Sequence, residues 1–338
     1  MVKNYSKKYR LTFFILWIIL FAVIVTSFCI GRYSISYQDV TKSILNQLFN
    51  FNFKLKPNIS TVLYNIRLPR ILMGLLVGLG LSVSGATLQA VFHNPMVSPD
   101  VLGASSSAGF GAALGILLGF NRFSTTLLSF SMGTISIFIV ILVSKNIKKN
   151  RDIGLVLTGM MVSSLFSSAV SLLKLIADPT SELPAITYWL MGSLNSSTID
   201  DFIFSAPIIF IGLIVIFLIR WKLNILTLGD EEAHSLGVNP EKLRIVAILS
   251  TTLITAVCVS VSGVIGWIGL VIPHVSKIFF GNDMRRVIPG SILLGSSFLL
   301  IVDNFSRLIS TSEIPIGILT SFIGAPFFIY LMTLEVNR

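Results

Sequence analysis

The chain has 338 residues, 54% of them hydrophobic and only 12% charged, with a formal net charge of +10 and a mean hydropathy of +0.87. A soluble domain carries about 25% charged residues, so this composition excludes a soluble globule, a disordered chain and a disulfide scaffold, and points to an integral membrane protein. Its 25 basic residues are scattered between apolar runs instead of forming one stripe, which excludes a nucleic-acid binder and makes the surplus positive charge a topology signal.

Lys3, Lys7, Lys8 and Arg10 precede an apolar run that is too long for a signal-peptide core and has no A-x-A site after it, which predicts an uncleaved first span. A helix needs about 20 apolar residues to cross the hydrocarbon core, and each central charge costs about 2.5–3.5 kcal/mol. On that basis the expected spans are 11–31, 67–92, 100–120, 123–144, 153–175, 202–220, 244–262, 267–279, 286–308 and 314–334. The long run 245–276 is divided at Ser262, Gly263 and Gly266, ahead of the Pro273-His274 pair, which leaves the eighth span short or re-entrant. The predicted fold class is therefore an all-α polytopic membrane protein of about ten transmembrane helices, in one permease-like domain over 1–338.

Ten spans place both termini on one side. The N-terminus, loops 145–152, 220–244 and 277–286, and the C-terminus hold 4, 4, 4, 3 and 1 Lys+Arg, whereas the alternate loops are acidic and poor in basic residues. Both termini are expected in the cytoplasm. Residues 31–70 dissent, since they are external by this count yet hold Arg32, Lys42, Lys54, Lys56, Arg67 and Arg70. An external basic cluster suits an acidic docking partner. The spans are rich in Gly and Ser, which permits close helix approach, and Ser-Val-Ser-Gly occurs at 82–85 and again at 260–263, each copy followed by a proline-containing break. Those copies make spans 2–5 and 7–10 a candidate inverted repeat. Cys29 and Cys258 lie in separate apolar runs and read as packing residues.

No GxxxxGK[ST] or GxSxG motif is present, and His93, His234 and His274 fall on separate loops without HExxH or a carboxylate cluster. No catalytic residue, metal site or cofactor is expected. Span interiors hold no ionisable side chain, the nearest being Lys174 and Asp303 at span ends, which disfavours a proton-coupled carrier. What remains is a self-contained channel or carrier for a small solute, or a pore that borrows its energy from a second polypeptide.

Two loops carry more than a connection. In the cytoplasmic loop 223–242, Asp230, Glu231 and Glu232 suit a helix N-terminus and Gly237 its end, giving a two-turn helix that offers Ala233 and Leu236 to a partner. On the outside, Arg67-Leu-Pro-Arg70 opens span two, while Asp303 and Arg307 close span nine, either as snorkelling side chains and an i,i+4 pair or as a carboxylate-binding surface.

Several strings together resemble the FecCD family, the permease subunits of type II ATP-binding-cassette importers for iron-siderophores, haem and cobalamin. They are Arg67-Leu-Pro-Arg70, Ser84-Gly85-Ala-Thr-Leu-Gln89, Asn94-Pro95 with Pro99-Asp-Val-Leu-Gly103, Gly266-Trp-Ile-Gly-Leu-Val-Ile-Pro273-His274, Asp283-Met-Arg-Arg286, Asp303 with Arg307, Glu313-Ile-Pro-Ile-Gly317, and Ile323-Gly324-Ala-Pro326. The resemblance implies ten spans with the inverted repeat and a type II importer permease fold. It also implies pairing with a second permease subunit as homo- or heterodimer, a cytoplasmic ATPase dimer below, and an extracytoplasmic substrate-binding protein outside. It further implies docking of that protein on Arg67, Arg70 and Arg307, and a coupling helix at Asp230, Glu231, Glu232, Ala233, Leu236 and Gly237. Glu231-Glu232-Ala233 with Gly237 partly echoes the EAA-x3-G pattern of importer permeases, with Glu in its second place. Ser163, Ser164, Ser167 and Ser168, polar positions on span five, are the candidate pathway lining, and the cell membrane with its lipid is the expected location.

Overall fold

The computed structural model describes residues 2–51, 53–54, 56, 58–145, 151–310 and 312–336. The loop 146–150 and Arg338, both counted in the topology argument, lie outside the described residues. Among the described residues the chain is helical and without strands. The helices are α1 (Val2–Cys29), α2 (Tyr37–Phe49), α3 (Ile59–Val91), α4 (Ala104–Leu117), α5 (Arg122–Ser144), α6 (Arg151–Ile176) and α7 (Glu182–Leu190). They continue with α8 (Ile199–Leu226), α9 (Asp230–Ser235), α10 (Pro240–Ser262), α11 (Ile268–Phe280), α12 (Met284–Leu308) and α13 (Ile316–Val336).

Seven of these are long and apolar enough to cross a bilayer, in α1, α3, α5, α6, α8, α10 and α12, and α4, α11 and α13 are shorter apolar helices. At 1.5 Å per residue, the 13 residues of α11 rise about 20 Å, short of a hydrocarbon core of about 30 Å.

Local chemistry sets the helix ends. Asn121 accepts from Ser124 N at 2.9 Å to open α5, and Thr198 and Asp201 form a reciprocal capping box on α8. Asn239 caps α10 ahead of Pro240, and Asp283 caps α12. Gly263, at φ +69°, ends α10 in a conformation that a side chain would strain.

The core is built on α3, which packs on α12, α10, α11 and α8. In α3, 83% of the most apolar window is buried, against 17% in α1. Small residues make that possible: a Cβ added at Gly85 would overlap the carbonyl of Gly269 in α11, and one at Gly78 would overlap that of Gly295 in α12.

The order long, short, long occurs twice, in α3–α5 and again in α10–α12. The Ser-Val-Ser-Gly copies do not mark this repetition, because the first lies inside α3 and the second forms the end of α10. Nor is Pro273-His274 a break, since both residues sit inside α11. The interruption falls earlier, at 263–267, where Gly263 and Trp267 both take positive φ and the chain turns before α11 begins.

Candidate functional site

At one end of the molecule α3, α12 and the loop before α13 bring four charges together. Arg70 Nη2 and Nε reach Asp303 at 2.8–3.1 Å, and Arg70 Nη1 reaches both Glu313 oxygens at 2.9 and 3.1 Å. Arg307 Nε lies 3.3 Å from Asp303, its Nη1 donates to Ile30 O at 3.1 Å, and its Nη2 donates to Asn304. Arg67 donates to the carbonyls of Phe28 and Tyr33. The side chains of Arg70 and Asp303 are 4% and 0% exposed, and Arg67 and Arg307 are buried as well.

Arg67, Arg70 and Arg307, expected as a docking surface, are all buried in the structure. Two buried cations are balanced by two carboxylates, and the third is spent on main-chain carbonyls, so none of the three presents its charge outward. Taking ions out of water is costly unless each is paired and hydrogen-bonded; Arg70 meets that condition, whereas Arg307 pairs with Asp303 while its Nε is left without a hydrogen bond and Arg67 has carbonyl acceptors in place of a carboxylate. The network ties α1, α3, α12 and the approach to α13 to one another. Glu313, quoted above only as part of a motif, is the carboxylate that sequence reasoning left without a role.

At the coupling loop, Asp230 accepts from Arg244 Nη2 and Nη1 at 2.8 and 3.0 Å, and that hydrogen-bonded pair lowers the Asp230 pKa. Ala233 is fully buried where α9 packs on α8 and α10, whereas Leu236 is 57% exposed. Ala233 is therefore not the projecting contact that the sequence pattern suggested, and Asp230 is engaged by Arg244. The outward face instead consists of Leu228, Glu231, Glu232, His234 and Leu236, with Gly237 turning the chain at φ +77°. Leu228 precedes the acidic run and carries no periodic signal, so only the fold shows that it is exposed, as Leu236 is.

The base of this loop is braced. Asn224 donates to Asp283 at 2.8 Å and accepts from Met284 N at 2.7 Å, which joins the end of α8 to the start of α12. His93 Nε2 contacts Leu226 O at 2.6 Å, bringing in the loop after α3. Burial raises the Asp283 pKa, but hydrogen bonds from Arg285 and Asn224 outweigh it and hold the carboxyl at about 2. In the same loop as Asn94 and Pro95, Asn94 Oδ1 accepts from Met96 N at 2.9 Å, and Gly103 opens α4 at φ +83°.

The four serines of α6 do not behave alike. Ser164, Ser167 and Ser168 are exposed beside Met160, Met161 and Leu165, while Ser163 is half-buried and donates to Asp100 O at 3.4 Å. The structure adds a concavity of about 640 Å³ between α7, the 264–267 turn and α13, walled by Met191, Trp267, Ser321, Phe322 and Pro326 and containing no charged side chain. Gly324 lies under Trp267, whose ring a Cβ there would displace. The turn after α7 holds this wall: Ser193 N donates to Ser262 O at 2.8 Å, and Met191 O and Gly192 O accept from Gly317 N and Ile316 N at 3.1 and 2.8 Å. These bonds satisfy the orphan groups at the end of α10 and the start of α13.

The sequence model of the FecCD transport family matches residues 18–333. The chain belongs to this family. It is 38% identical over 315 residues to the molybdate import system permease protein MolB of Haemophilus influenzae, covering 93% of this chain and 92% of that protein. It is 38% identical over 316 residues to an iron chelatin transport system permease protein of Helicobacter pylori, covering 93% and 95% of the two chains. A solved structure described as an inward-facing conformation of a metal-chelate type ABC transporter superposes with a TM-score of 0.83 at 36% identity, over 96% of this chain and 99% of that one. The FecCD permease is thus the multi-pass membrane channel of an ABC importer with the type II fold, and ATP hydrolysis belongs to a separate subunit. The self-contained channel or carrier falls away as a reading.

Proposed function

We propose that this permease passes a metal chelate, an iron-siderophore complex or else haem or cobalamin, from an extracytoplasmic binding protein to the cytoplasm across the cell membrane. Both termini lie in the cytoplasm, as the distribution of basic residues supports. A second permease subunit, identical or paralogous, completes the pathway, and an ATPase dimer below drives alternating access through the α9 loop. Spans 2–5 and 7–10 act as the inverted halves.

The observation that carries the cargo reading is the uncharged wall of Met191, Trp267, Phe322 and Pro326, with Ser164, Ser167 and Ser168 on the open face of α6. Taking this wall and these serines as part of the pathway, a bare cation or oxyanion would find no opposite charge along them, whereas a metal wrapped in an organic ligand presents an apolar or hydroxyl-matched exterior. The iron-chelatin name of one relative supports the same class. The test is proteoliposome uptake by the permease with its own ATPase and binding protein, offered ferric siderophores, haem, cobalamin and molybdate in turn. Uptake of a ferric siderophore is expected, and uptake of molybdate with none of the chelates transported would overturn the cargo reading.

A further inference from the structure

The segment between α1 and α3 lends the carbonyls of Ile30 and Tyr33 to Arg307 and Arg67, but α2 and the loop after it have no part in the coupling loop or the buried ion network. The link 30–36 is all that separates α2 from the end of an apolar spanning helix, so α2 sits at the level where that span leaves the lipid. One side of this lobe is consumed by packing: Ile35 and Val40 are buried together with Cys29, Ile59 and Leu63. On α2 itself, Tyr37 and Ile44 are exposed, two turns apart.

Beyond α2 the chain folds back. Asn50 takes the left-handed conformation at φ 54°, and the Asn46 side chain donates to Phe53 O at 2.9 Å and accepts from Phe53 N at 3.0 Å. This clasp turns Phe49, Phe51 and Phe53 outward as a row of rings with centroids 6.2 and 5.6 Å apart. They are 66%, 52% and 42% exposed, and the exposed Lys54 and Lys56 follow directly. The lobe stands on α1, of whose apolar window only 17% is buried and whose Phe14, Trp17, Ile18 and Phe21 face outward. The aromatic row thus follows directly, through α2, on a helix that exposes an apolar face of its own.

We propose that α2 and the Phe49–Phe53 loop form a membrane-interface wedge: the three phenylalanines enter the headgroup–acyl boundary, and Lys54 and Lys56 engage anionic lipid headgroups. Aromatic side chains favour that depth, and an apolar element combined with adjacent basic residues provides the two signals that stable interfacial binding requires. The occupant of this face is the bilayer itself, and the wedge fixes the tilt and depth of α1 and the start of α3.

The test uses the full-length permease in vesicles of phosphatidylcholine with phosphatidylglycerol. Cys29 and Cys258 are buried, so a Phe51→Cys variant carries one reactive thiol for an environment-sensitive fluorophore, and Asn195→Cys in an exposed loop serves as the aqueous reference. Quenching at position 51 by a nitroxide on the upper acyl chain should exceed that at 195 by about threefold or more, with iodide quenching in the opposite order. Iodide access equal to that at 195 would overturn the wedge. So would shielding from both quenchers, the sign of a second copy or a binding protein on this face. Phe49→Cys repeats the measurement at an independent site should the first variant misfold. Lys54→Glu with Lys56→Glu should abolish the dependence of lipid quenching on phosphatidylglycerol, and unchanged dependence would overturn the headgroup contact.

Discussion

Arg70 and Ala233 show how far a residue's meaning depends on what surrounds it. Arg70 resembles a surface arginine at a span entry, yet its guanidinium is divided between Asp303 and Glu313 in a buried site. Removing it with Arg70→Ala strands two carboxylates and should cost about 3–5 kcal/mol, read as a lower melting temperature in detergent. Charge reversal of Arg67, Arg70 and Arg307 together should then abolish assembly; a normally assembled triple variant would contradict the burial. Asp283 allows a pH test. Its carboxyl is held at about 2 in the folded protein, below the ordinary value of about 3.9. A depressed folded-state pKa means that its contribution is complete above about pH 4 and is lost as pH falls towards 2. Asp283→Asn keeps a cap on α12 and should flatten the acid limb of a stability–pH curve between about pH 5 and 2. An acid limb as steep as that of the parent would count against this assignment.

At the scale of elements, close approach governs. At the coupling loop the helix start at Asp230 and the turn at Gly237 were legible because capping is local and uses a short list of side chains. The neighbours of each helix were not, because an apolar face seen in periodicity does not say which other face covers it. Gly85 illustrates the consequence. Gly85→Ala forces α3 away from Gly269 and should destabilise by about 1–3 kcal/mol or more, while Gly266→Ala, with no atom near its added Cβ, should be close to neutral. Parallel melting curves of the two variants check this, and equal melting temperatures would remove the close contact as a packing constraint. The Ser-Val-Ser-Gly copies teach the reverse lesson, since identical residues lie in one case within a helix and in the other at its end.

Across the whole molecule, energy supplied by a separate ATPase must reach the pathway through a contact; on the proposed coupling role of the α9 loop, Leu228 and Leu236 are its exposed large apolar side chains. Leu228→Asp with Leu236→Asp should leave the permease folded but cut uptake at least about tenfold, as loss of two apolar anchors weakens an interface by about 2 kcal/mol or more. ATPase activity and transport measured together in proteoliposomes decide it; intact coupling would move the contact elsewhere. Ala233→Asp should behave differently, because it buries a charge between α8, α9 and α10, and should appear as lost stability before lost coupling.

By itself the sequence determined the membrane class, the apolar runs on which ten helices fall, and through clustered motifs the family. Those properties follow from composition and from interactions within a few residues of each other, which a linear reading contains. Tertiary structure alone decided that Arg70 meets Asp303 and Glu313, that Ala233 faces inward while Leu228 and Leu236 are exposed, and that Trp267 and Phe322 wall an uncharged concavity. The ion pairs of Arg70 join positions more than two hundred residues apart, and a charge at a helix end has the same local pattern whether its partner is water or a buried carboxylate. Only the packing of α3 against α12 chooses between them.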